Sequence, residues 1–91
     1  KAYDPEGFLS PLVLATFCRY MEKHRKQADG QLRNSDNWMK GIPRNEYWKS
    51  MMRHTFEAWA QHREDGVIDS ELLCAIMFNT MGYLYEELNG R

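Results

Sequence analysis

Three histidines, two cysteines and a short charged stripe carry most of the side-chain chemistry in this sequence. His24, His54 and His62 are scattered, so each reads as a surface or boundary imidazole before it reads as a ligand or base. Cys18 and Cys74 are far apart with no C-x-x-C pair. They write neither a disulfide framework nor a zinc site, and fit two thiols in a reducing compartment. Lys49, Arg53 and Glu57 recur at i, i+4 and i+8, as a solvated ion-pair stripe does, or a place where phosphate and a metal are held. Lys40 and Arg44 beside Trp38 could form a phosphate and base-stacking corner, although a Trp in a loop more commonly pins the loop down. Asn79 stands in an apolar run, where a buried amide needs hydrogen-bond partners or a polar pocket. No G-x-S-x-G, P-loop, H-E-x-x-H or Gly-rich dinucleotide loop occurs, which excludes hydrolases and NTPases of those designs.

These residues must be positioned by helices. Ser10-Pro11 reads as an N-cap followed by proline at the first helical position, and Leu12, Leu14, Phe17, Cys18 and Met21 then form one apolar face. The first helix is expected near 11–28, its polar second half protruding until Asp29-Gly30 stops it. Residues 29–44 read as a loop. A second helix is expected near 45–63, with Trp48, Met51, Met52, Thr55, Phe56 and Trp59 on one face, Lys49, Arg53 and Glu57 opposite, and His54 at the boundary. A third is expected near 69–89, capped by Asp69, favoured by Glu71 in its first turn and closed by Asn89-Gly90. Apolar residues cover almost its whole circumference, so it must be enclosed. Gly82 inside it, which costs about 1 kcal/mol relative to Ala, marks a close approach between helices.

The expected fold is therefore all-α: one domain over residues 1–91, a three-helix protomer that forms an oligomeric, dimeric helical bundle. Length points the same way, since a chain of 91 residues buries too little surface to be comfortably stable alone. No apolar run approaches the roughly 20 residues that span a bilayer, and the start KAYDPEG lacks a signal peptide's regions, so no membrane association and a cytoplasmic location are expected. A net charge of −1 leaves no electrostatic footprint for nucleic acid. Lys1 in place of an initiator Met is what a trimmed chain shows.

One composite pattern goes further. Asp36-Asn37-Trp38-Met39-Lys40-Gly41-Ile42-Pro43, then Tyr47, Arg53-His54 with Trp59, Asp69 and Asn79 occur in that order. From about Leu14 to Leu88 the chain resembles the phage and bacterial dATP/dGTP diphosphohydrolases, related to the MazG-type all-α nucleoside-triphosphate pyrophosphatases. The resemblance implies an oligomeric bundle that binds a deoxynucleoside triphosphate (dNTP) and, with Mg²⁺ or Mn²⁺, cleaves it to monophosphate and pyrophosphate. It implies Lys40, Arg53 and Asn79 as substrate-binding residues, His54 and Glu57 as catalytic residues, and Glu57 and Glu71 as metal ligands. Where the MazG pattern has E-E-x-x-E, this chain reads Arg53-His54-Thr55-Phe56-Glu57, and Leu72 and Ala75 stand where relatives carry His or acidic groups. That carboxylate deficit favours a rival: a catalytically silent helical interaction module that binds a host protein or sequesters a nucleotide.

Overall fold

The computed structural model describes residues 3–91. It is all-α, with no strand among the described residues beyond an isolated Lys26–Leu32 bridge. The described residues form four α-helices, α1 (Pro5–Phe8), α2 (Pro11–Lys23), α3 (Arg44–Asp65) and α4 (Ser70–Leu88), one more than the three expected, with a 3₁₀ turn at Asn37–Lys40 between α2 and α3. None of these helices is long and apolar enough to cross a membrane. The chain divides into two compact units, one ending at Arg33 and the other running from Asn34 to Arg91.

In the first unit, Ser10 caps α2 as expected, its Oγ accepting from the Val13 amide at 3.2 Å. The helix stops at Lys23, more than a turn short of Ala28. Past that point the polar stretch has no apolar face to bury, and local bonds to the backbone compete with the helix. Arg25 Nε donates to the Arg33 carbonyl at 2.8 Å, and Arg33 Nη2 donates to the His24 carbonyl at 3.1 Å. Of the anticipated apolar face only Phe17 is buried, while Leu12, Leu14 and Cys18 are exposed.

The second unit is an antiparallel hairpin of α3 and α4 preceded by the 3₁₀ turn. Gly66 closes α3 in the left-handed region at φ 72°, donating to the His62 carbonyl at 3.0 Å. Asp69 caps α4 by accepting from the Glu71 amide at 3.3 Å. Gln61 Oε1 ties the two ends of that connection by accepting from the Asp69 amide at 2.8 Å.

The seam between the helices differs from the face expected for the second helix. Tyr47 and Ala58 are the buried residues of α3, with Met51, His54 and Gln61 half-buried. The row Trp48, Met52, Phe56 and Trp59 is instead exposed. Small residues explain the rotation. Ala58 on α3 and Ala75 and Gly82 on α4 are all buried, and their size lets the two backbones approach where an aromatic row would hold them apart. A Cβ on Gly82 would overlap the Tyr47 ring, which fills that gap. On α4, Leu72, Cys74, Ala75, Asn79, Gly82 and Glu86 are buried, but Leu73, Leu84 and Leu88 remain exposed, so its apolar circumference is only partly enclosed.

Candidate functional site

The loop before α3 is tied to the hairpin through rings. Asn37 donates to the Asn34 carbonyl and Met39 to that of Asp36, forming the tight turn that presents Trp38. The half-buried indole meets the Tyr85 ring at 4.9 Å and the Phe78 ring at 6.3 Å, both edge-on. Arg91 reinforces the attachment. Its Nη2 donates to the Met39 carbonyl at 3.3 Å, while Nε and Nη2 hold the two oxygens of Glu86 at 2.8 and 3.1 Å. The Glu86 carboxylate is almost wholly buried, and the fork of hydrogen bonds from Arg91 is what makes that burial tolerable.

Beneath this lies Tyr47, only 2% exposed, edge-on to Phe78 at 5.6 Å. Its hydroxyl is buried without a hydrogen-bond partner. Burial, and then the nearby Glu86 charge, raise the phenol above its ordinary pKa. The sequence signalled none of Glu86, Arg91 or the burial of Tyr47. A glutamate and an arginine near a chain end read as solvated, and only the close approach at Gly82 hinted that a large ring must fill a gap.

The residues implied by the resemblance lie on three elements, the 3₁₀ turn, α3 and α4. Lys40 is exposed at the end of the 3₁₀ turn. Arg53 is exposed on α3 and donates to Ser50 Oγ at 3.4 Å, and Glu57 is exposed one turn further on. His54 faces inward, half-buried, its Nδ1 buried without a hydrogen-bond partner. Asn79 is 4% exposed and so lies inside the protein. Glu71 lies in the first turn of α4. Burial, and then the Glu71 charge, push the Cys74 thiol up, which makes it less reactive.

A divalent ion needs several oxygen ligands converging on one point. Among the described residues no group of three His, Cys, Asp or Glu side chains comes together in that way. The donors present among the described residues do not fit Mg²⁺ or Mn²⁺.

A concavity lies on the flank of the hairpin where α3 begins. It is an open cleft of about 450 Å³ lined by Arg44, Asn45, Trp48 and Tyr83. The Trp48 and Tyr83 rings meet edge-on at 6.5 Å, and the Arg44 guanidinium lies 6.0 Å from the centre of the Tyr83 ring. Arg44 Nη1 is held by Glu87 Oε1 at 2.9 Å, so the cation at this rim is already neutralised by a carboxylate. That suits an aromatic, uncharged occupant better than a polyphosphate. From the cleft the exposed row Trp48, Met52, Phe56 and Trp59 runs along α3, with Phe56 and Trp59 edge-on at 5.8 Å.

No family model, curated protein or solved structure matches this chain.

Proposed function

We propose that this chain is a helical interaction module that associates with itself and works by docking on protein rather than by cleaving a nucleotide. The observation that carries this reading is the outward row on α3, with Trp48, Met52, Phe56 and Trp59 exposed by 50, 53, 69 and 55%. Side chains of this kind are seldom left in water together unless another surface covers them, and contiguous exposed apolar patches mark interaction sites. The burial of Asn79 inside the protein, while Lys40, Arg53 and Glu57 are exposed, speaks in the same direction, because polyphosphate cleavage needs its contacts gathered at one place. Two free cysteines, Cys18 and Cys74, are compatible with a cytoplasmic setting.

Two measurements test the reading. Light scattering of the full chain at micromolar concentration is expected to give at least twice the chain mass of 10.8 kDa. Chromatography of each deoxynucleoside triphosphate after incubation with the protein and Mg²⁺ or Mn²⁺ is expected to return the triphosphate unchanged. A strict monomer removes the self-association. Release of monophosphate and pyrophosphate, lost on Arg53→Ala or Glu57→Ala, restores the pyrophosphohydrolase.

A further inference from the structure

The row and the cleft are complementary parts of one surface. Trp59 lies eleven residues beyond Trp48, about 16 Å along the helix, and it is the exposed aromatic at the end of the row away from the cleft. Pairing two copies of α3 antiparallel across a two-fold axis beside residue 54 sets Trp48 opposite Trp59 of the second copy, and Met52 opposite its Phe56. The row therefore matches itself in that orientation, as a two-fold interface requires. The same register delivers each Trp59 to the other copy's cleft, where Trp48 and Tyr83 offer two ring surfaces rimmed by the Arg44–Glu87 ion pair. The contact between Phe56 and Trp59 within one copy orients the incoming indole before association.

Resting on the self-association proposed above, we infer that the occupant of this face is a second copy of the chain. It would be docked antiparallel through α3, with each Trp59 seated in the other's Arg44–Asn45–Trp48–Tyr83 cleft. The area suffices. Exposures of 50 to 69% over three aromatics and a methionine leave on the order of 500 Å² per copy for side chains of roughly 150–250 Å². Mutual cover then buries on the order of 1,000 Å² in total, the lower bound for a specific interface. A ring set in a pocket at each end concentrates the binding energy as known interfaces do.

The test uses the full chain with Cys18→Ser and Cys74→Ala as background, carrying either Trp48→Cys or Trp59→Cys. Each variant alone breaks both Trp48–Trp59 pairs and should dissociate at least about tenfold more readily. A mixture of the two keeps one intact Trp48–Trp59 pair and brings the two introduced thiols together. It should regain the dimer and form a mixed disulfide on mild oxidation, while neither variant forms one alone. Circular dichroism confirms that the variants fold, as expected for side chains already half in water. Three results overturn the inference and leave the module standing. One is a dimer that Trp59→Cys does not weaken, which moves the contact to another face such as the exposed Leu73, Leu84 and Leu88 of α4. Another is Trp48→Cys linking to itself, which makes the helices parallel. The third is a mixture no more associated than its components. A parent chain that is monomeric defeats the self-association itself.

Discussion

Replacing Gly82 by Ala probes the seam of the hairpin, because elementary helix propensity and the packing give opposite signs. On propensity alone Ala gains about 1 kcal/mol over Gly inside a helix. In the structure the added Cβ would overlap Cζ and Cε1 of Tyr47 and lie 2.6 Å from its Oη. The ring would have to retreat by on the order of 1 Å to restore ordinary contact, yet it is only 2% exposed and has Phe78 edge-on at 5.6 Å. Overpacking a closed site costs about 1–3 kcal/mol, and a clash with several ring atoms belongs in the upper part of that range. The net expectation is a loss of about 1–2 kcal/mol, or roughly 4–8 °C in Tm per kcal/mol. Urea denaturation followed by circular dichroism reads it, at one fixed protein concentration because the proposed association would contribute to apparent stability. The control is the same substitution with Tyr47→Leu, which empties the space. There Gly82→Ala should be neutral or stabilising, giving a coupling of about 1 kcal/mol or more. An unaltered or more stable Gly82→Ala protein, or an equal loss in both backgrounds, would refute the close approach.

Tyr47→Phe removes a buried hydroxyl that has no partner and should leave stability unchanged or raise it by up to about 1 kcal/mol. Because the folded phenol titrates above its ordinary 10.0, its contribution is intact below pH 10 and is lost as pH rises through the higher folded value; alkaline denaturation of Tyr47→Phe should lack that component. Trp38→Ala deletes a half-buried indole resting on Tyr85 and Phe78 and should cost about 2–3 kcal/mol, below the cost of a fully enclosed aromatic; a change near zero in thermal denaturation would make the loop independent of the hairpin. Arg91→Ala strands the buried Glu86 carboxylate and should lower Tm, and adding Glu86→Gln should recover part of the loss by removing the unpaired charge.

Helix positions were legible because their signals are local. Ser10 and Asp69 cap where a side-chain oxygen can reach an amide two or three residues on. Gly90 sits at φ 72° just beyond the last turn of α4, where an L side chain is disfavoured. Expected spans of 45–63 and 69–89 compare with Arg44–Asp65 and Ser70–Leu88. The tail of α2 was misjudged because its end depends on Arg25 and Arg33 reaching backbone carbonyls on opposite sides of a turn, an arrangement that periodicity does not encode. The Glu86–Arg91 pair was illegible for a related reason. Five residues apart, the two meet only because the chain turns back after α4, where the Arg91 amide bonds the Glu86 carbonyl at 2.8 Å.

The orientation of α3 shows where hydrophobic periodicity stops being informative. It weighs how apolar a stripe is, and by that measure Trp48, Met52, Phe56 and Trp59 should face the partner helix. The contact between two helices rewards shape as well, and the stripe that meets α4 is headed by Tyr47 against Gly82, with buried Ala58 beyond it. Two apolar stripes on one helix therefore divide the work, one set by the fit to α4 and the other left facing outward. A sequence under selection only for this hairpin would gain solubility by placing charge on the outward stripe, as it does at Lys49, Arg53 and Glu57 on the other flank. Large rings stand there instead, as the proposed contact between copies requires, and the Phe56–Trp59 pair and the Arg44–Tyr83 cleft would give that contact its shape.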